Sequence, residues 1–399
     1  MHPGRVSARR ILALLDVGKL SAVVLLVVVA LTIGGCTTSA GRGAASPADP
    51  PLRAAGVAPL LIHHQRSPSN TPAGLAAHRQ AVESLPFDGL TVLLPTLSDH
   101  TFSNQGFGVA AYRAALAPMP RLGKLTHNFI LVRLVEDDLD LTDDQQWKVI
   151  LANLTALGTA ARQAPGLDGV FFDTEYYGAG VGPWRGSAEQ SSLLGDQSRS
   201  RLLHADRGRE MATALGGAWP GSVLLSTYGP WLGVDATAAR GFAGLDYANV
   251  AFANRLLTPF LLGLIQGSAD VRLRYVDGGE LYGLRTEADF TQAYRWMKTG
   301  MPTSDAVRSQ PSALRSRWSE LVEVAFGVYD SDAGSGQFQP LPATEFARAV
   351  TAGLRRTDRY VWTYSDRYDW VGGGPDATTP PGALVAAPGR AVQAATLPR

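Results

Sequence analysis

The sequence alternates between two kinds of segment. Short runs rich in β-branched and aromatic residues occur at Leu60–His64, Leu90–Pro95, Asn128–Leu134, Gly169–Glu175, Ser222–Tyr228, Val271–Asp277, Val322–Asp330 and Tyr360–Asp366. Longer stretches with helical spacing lie between them. The clearest is Asp143–Gln163, where Trp147, Ile150, Leu151, Leu154 and Leu157 fall on one face behind an Asp143-Asp144 start suited to capping amides. Further helices are predicted at Ala73–Leu85, Ser187–Leu215, Phe252–Gly267, Glu287–Met297 and Ala343–Arg355. Strands that alternate with helices pair in parallel and need helices to cover them. Eight such units are the count of an α/β fold of the (β/α)8, or TIM, barrel type. A doubly wound open sheet is the runner-up, but no Gly-rich phosphate loop follows the first strand.

The ends of the chain have a different character. Arg5, Arg9, Arg10 and Lys19 precede an apolar run from Leu20 to Ile33. That run is short of the roughly 20 apolar residues a spanning helix needs, and has the length of a signal-peptide core. It ends Ile33-Gly34-Gly35-Cys36, with the one cysteine of the chain in the place where a bacterial lipobox carries its lipid. The expected organisation is a lipoprotein signal peptide over 1–35 and a flexible tether over 36–56. A single-domain barrel over 57–371 and a disordered tail over 372–399 follow. This predicts an extracytoplasmic protein held at the bacterial cell membrane through lipidated Cys36. A lone cysteine excludes a disulfide framework, and 36 basic against 35 acidic residues argue against a nucleic-acid partner.

In a barrel of this kind, chemistry gathers at the C-terminal ends of the strands. Those ends carry His63, Asp173, Glu175, Tyr228, Asp277, Glu280, Asp330, Trp362 and Tyr364, so acids and aromatic rings share one rim. Side chains alternate along a strand, so Asp173 and Glu175 point the same way as Phe171. Two carboxyls that close raise one another's pKa, which lets one stay protonated near neutral pH. Asp277 shares the face of Tyr275, while Gly278-Gly279 leaves the aim of Glu280 open. The candidate catalytic residues are therefore Glu175, Asp173, Glu280 and Asp277. Tyr177, His63, Tyr228, Tyr282, Asp330, Trp362 and Tyr364 are candidates for binding substrate. Adjacent His63 and His64 face opposite sides and cannot hold one ion together, and no other metal motif or nucleophile elbow is present. No metal and no cofactor are expected.

Several of these motifs are similar to those of a bacterial family. Thr126-His127-Asn128-Phe129, the Asp143-Asp144-x-x-Trp147 helix start with Asn153, and Phe172-Asp173-Thr174-Glu175-x-Tyr177 resemble a group of exported glycoside-hydrolase-like TIM barrels. So do Asp277-Gly278-x-Glu280-x-Tyr282 and Tyr360-Val361-Trp362-x-Tyr364-Ser365. The resemblance spans nearly the whole mature domain and implies the barrel. A more distant likeness is to chitinase-type barrels, whose fourth strand reads Asp-Gly-x-Asp-x-Asp-x-Glu. Asp168-Gly169, Asp173 and Glu175 fit that pattern, while Phe171 replaces an inner Asp. In those enzymes the Glu is the acid and the preceding Asp positions the substrate.

The expected function is a cell-surface glycoside hydrolase that cleaves an extracellular or envelope polysaccharide by paired-carboxylate chemistry. Glu175 is the expected acid/base, and Glu280 or Asp277 the second carboxylate. The alternative is a glycan-binding envelope lipoprotein without catalysis, for which an aromatic rim is equally suited.

Overall fold

The computed structural model describes residues 57–180, 182–185, 197–232, 234, 254–332, 339–372 and 378–396. The export segment and tether expected over 1–56 lie outside the described residues. One sheet holds β1 (Leu60–Gln65), β2 (Gly89–Val92), β3 (Asn128–Leu134), β4 (Leu167–Tyr176), β5 (Val223–Ser226), β6 (Arg274–Asp277), β7 (Val322–Val324) and β8 (Phe326–Tyr329). A hairpin follows, made of β9 (Ser331–Asp332) and β10 (Gln339–Pro340), and β11 (Tyr360–Ser365) completes the sheet. Its order is β7-β6-β5-β4-β3-β2-β1-β11-β8, with every pairing parallel. β7 and β8 flank Ala325 and are two halves of one stave. One half pairs with β6 and the other with β11, which brings the sheet round on itself. The fold is a (β/α)8 barrel.

Each predicted strand is present. The run predicted at Val322–Asp330 is the one interrupted, because the stave must turn at Ala325 to serve two neighbours. Strand periodicity then sorts the side chains. Ile62, Phe129, Leu131, Phe171, Leu225, Val276, Ala325 and Trp362 fill the lumen. The alternate residues, such as Leu61, Ile130, Phe172 and Tyr275, pack outward against the helices.

The helical layer follows the sequence with local differences. The Asp144–Ala161 helix begins where Asp143 accepts hydrogen bonds from the amides of Gln145 and Gln146. The Glu287–Arg295 helix starts with a capping box of Thr286 and Asp289. The helix predicted over Ala73–Leu85 is two short ones, Pro72–Ala77 and Arg79–Ser84, broken at His78. The expected disordered tail needs a larger correction, since Gly382–Thr396 is a helix. Leu384, Ala387 and Ala391 are buried on one side of it, and its Ala394 carbonyl accepts from Arg355. Small apolar residues at helical spacing bury well against a neighbouring helix, although their composition resembles that of a linker.

Gly169 sets how closely β4 approaches β5. A Cβ at this position would lie 1.8 Å from the carbonyl oxygen of Val223, a backbone atom that cannot swing away. Gly169→Ala is therefore expected to destabilise the fold by about 1–3 kcal/mol, the usual cost of overpacking. Urea denaturation of the two proteins measures this, and an unchanged midpoint would show that the staves can separate freely.

Candidate active site

The inward series on β4 runs from Phe171 to Asp173 to Glu175, so the acids follow directly above the packed lumen. Phe171 holds the lower position, with its ring 5.2 Å from Trp362 and 4.6 Å from His64. On the outer face, Phe172 stacks on Phe102 at 5.3 Å, which fixes the strand against the helical layer. The rotation of the strand about its axis is thus set by bulky rings on both sides. Asp173 and Glu175 are aimed by it.

Glu280 reaches the same place by a turn. Gly279 adopts φ +55, and a Cβ there would lie 2.3 Å from the Ala325 carbonyl oxygen. The turn is held by Glu280 N–H donating to Thr227 O at 3.1 Å. The Glu280 carboxyl lies beside Tyr282 and Thr227 and feels the charges of Glu175 and Asp173. Asp173, Glu175 and Glu280 therefore form one group.

Tyrosines surround these acids. The Tyr228 hydroxyl donates to Glu175 Oε1 at 2.8 Å. The Tyr177 hydroxyl lies 2.7 Å from Glu175 Oε2 and 2.9 Å from Asp173 Oδ2. Tyr177 is 44% exposed, so its ring faces solvent while its hydroxyl is enclosed between carboxyls. Tyr282, Tyr329 and Tyr364 continue the ring of phenols, with Tyr282 and Tyr364 nearly parallel at 6.0 Å.

Burial dominates the electrostatics. It pushes Asp173 up to about 7, and the charge of Glu175 adds to this. Burial first, then Glu175 and Asp173, hold Glu280 well above the ordinary carboxylate range. Burial and the neighbouring acids also push Tyr177 and Tyr228 well above 10, so both phenols keep their protons.

Four of the expected site residues are placed elsewhere. His63 lies outside the lumen, stacked on Phe87 at 4.7 Å and bonded to Thr363 Oγ1 at 2.8 Å. Asp277 follows Tyr275 to the outer side of β6, where Trp231 Nε1 and Gly279 N each donate to its Oδ1 at 3.1 Å. Asp330, one residue beyond the inward Tyr329, is buried on the outer side and bonded by Trp370 and Ser331. Trp362 points inward but is sealed, its indole N–H donating to Gly278 O at 2.7 Å. It is floor packing.

Two inward groups were missed in the sequence. His64 is buried above Ile62, stacked between Phe171 and Tyr364 and bonded through Nδ1 to Thr91 Oγ1 at 2.9 Å. Burial, then the charges of His63 and Arg133, lower its pKa to about 3, so it is neutral. Arg133 continues the inward series Phe129, Leu131 on β3. Its Nε donates to Asp99 at 2.9 Å and its guanidinium lies 5.4 Å from the centre of the Tyr177 ring. A charged residue in step with an inward apolar series was the signal. Among the described residues, no group of three or more His, Cys, Asp or Glu side chains is placed to hold a metal ion.

No family model matches this sequence, and no curated protein matches it by sequence. In fold it is similar to an exo-beta-1,4-mannosidase from Opitutaceae bacterium strain TAV5, at 10% identity and TM-score 0.42, over 85% of this chain and 56% of that one. This chain thus spans little more than half the length of that mannosidase. It is also similar to an endo-1,4-beta-mannanase from Eisenia fetida, at 11% identity and TM-score 0.39, over 86% of this chain and 92% of that one. A D-psicose 3-epimerase is similar at 11% identity and TM-score 0.35, over 84% and 97% of the two chains.

The displacement of Asp277 from the site has a measurable consequence. Burial raises it to about 7 from 3.8, so between those values the folded protein holds a proton that the unfolded chain has lost. The stability this group contributes is therefore intact at low pH and lost as pH rises toward 7. Asp277→Asn keeps an acceptor for Trp231 and Gly279 without the charge. It is expected to remove that loss and to raise stability at pH 8 by up to about 4 kcal/mol. Urea denaturation across a pH series measures it. A slope unchanged by the substitution would show that Asp277 costs the fold nothing when ionised.

Proposed function

We propose that this protein is a glycoside hydrolase in which Glu280 and Glu175 are the reacting carboxyls. The observation that carries this reading is their contrast within one small site. Burial and the neighbouring acids push Glu280 well above the ordinary carboxylate range, while Glu175 accepts from Tyr228 and lies in reach of the Tyr177 hydroxyl, as suits a carboxylate. Cleaving a glycosidic bond takes this pair: a neutral acid to protonate the leaving oxygen, and a carboxylate to attack the sugar or activate water. In this reading Glu280 is the proton donor and Glu175 the ionised partner, the reverse of the assignment expected from the sequence. The exposed ring of Tyr177 and the rings of Tyr282 and Tyr364 offer the flat apolar surface that a sugar face prefers. Arg133 pairs with Asp99, and its charge offsets only in part the burial and the Glu175 charge that raise Asp173.

We further propose that the mature chain is lipid-anchored through Cys36 outside the cytoplasm and acts on an extracellular or envelope polysaccharide. The support is the apolar run that ends Ile33-Gly34-Gly35-Cys36. A labelled fatty acid fed to a bacterium that expresses the protein with its leader is expected to mark the wild type and not Cys36→Ala. A wild type that takes up no label would favour a plain apolar anchor helix.

Release of reducing ends from a panel of polysaccharides tests the activity. Glu175→Gln and Glu280→Gln are each expected to lower release by about 10²–10⁴-fold with the circular dichroism spectrum unchanged. Tight binding by the wild type with no release from any member of a broad panel would replace the hydrolase with a glycan-binding protein.

A further inference from the structure

The two-carboxyl reading leaves one buried acid, Asp173, without a task, although it lies in the same group and touches the same phenol. Tyr177 has one hydroxyl proton and two carboxyl oxygens within bonding distance, Glu175 Oε2 at 2.7 Å and Asp173 Oδ2 at 2.9 Å. It can give a full, well-aligned hydrogen bond to only one of them. If both acids were ionised, one of these contacts would set a carboxylate oxygen against a phenol lone pair, a repulsive arrangement in a buried site. We propose that Tyr177 is a positioning residue that accepts a hydrogen bond from a neutral Asp173 and donates its own proton to an ionised Glu175.

Independent features assign the direction. Glu175 already accepts from Tyr228, and its contact with Tyr177 is the shorter of the two. Asp173 is only 5% exposed, and burial favours the neutral form of a carboxyl. Its Oδ1 accepts the amide N–H of Glu175 at 3.1 Å, which leaves Oδ2, the oxygen facing the phenol, to carry the proton. Arg133 above the Tyr177 ring withdraws charge from the phenol and makes it a better donor. The remaining titratable and charged groups named around the site are Glu280, Tyr282, Tyr364 and His64. His64 is neutral, and Glu280 and the phenols are pushed toward their neutral forms. The chain Asp173, Tyr177, Glu175 thus holds two protons in fixed order and places the negative charge of β4 on Glu175. This deepens the hydrolase reading, since it is the stated carboxylate that is kept charged.

The test reads carboxyl titration and does not depend on activity. In protein labelled with ¹³C at the side-chain carboxyls, the Asp173 signal, assigned by Asp173→Asn, is followed from pH 4 to 9. Tyr177→Phe removes the acceptor and is expected to lower the Asp173 midpoint by about one pH unit. Glu175→Gln removes the neighbouring charge and is expected to lower it as well. A rise in Tyr177→Phe would overturn the proposal, because it would mean that Tyr177 donates to Asp173. An unmoved midpoint would overturn it too, by making Tyr177 packing alone. Failure here leaves the hydrolase reading to stand or fall on sugar release, and absence of release leaves this titration unaffected.

Discussion

The lumen of this barrel is full, and the site exists because it is. Trp362 from the last stave crosses toward β6 and donates its indole N–H to Gly278 O, while Phe171 meets it edge to face from β4. These rings raise a dry floor across the barrel, on which the next inward residues must stand. A carboxyl placed there is cut off from water below and packed by phenols at its sides, and so resists ionisation. Asp173 and Glu280 owe their raised pKa values first to this burial and only then to each other and Glu175. The chemistry proposed for the site is a consequence of packing beneath it.

Much of this was legible because β-strands have a period of two. The eight strands and their order along the chain follow from runs of β-branched and aromatic residues, and the common aim of Asp173 and Glu175 follows from Phe171. What could not be read was which parity faced inward where no neighbour declared it. His63 and His64 are equivalent by composition, and only the inward place of Ile62 and the pairing of His64 with Tyr364 separate them. Asp277 and Glu280 were distinguished by one backbone angle at Gly279. Asp330 lies on the outer side, and Trp362 forms part of the floor itself. The Gly382–Thr396 helix was hidden because Ala and Pro suggest a linker until the spacing of Leu384, Ala387 and Ala391 is given a partner.

The acids also show how a fold can use like charges without being unseated by them. Three carboxyls crowd one site while the nearby Arg133 is committed to Asp99, so Coulomb repulsion is relieved by protonation and by phenolic donors. Tyrosine suits that role better than lysine or arginine. It donates a strong hydrogen bond, adds no charge that would ionise every acid at once, and presents a flat face to a passing ligand.

The direction of β1 bears on the anchor proposed at Cys36. Parallel staves all begin at one end of the barrel, and the carboxyl-bearing ends of β4 and β6 lie at the other. The chain enters β1 at Leu60, beside Arg359 at the start of β11, and so at the base. If the chain is anchored at Cys36 as proposed above, the leash joins the cylinder at its foot, the end opposite the acids. Long polymers in the surrounding medium could then reach the acids without first threading between the protein and the lipid.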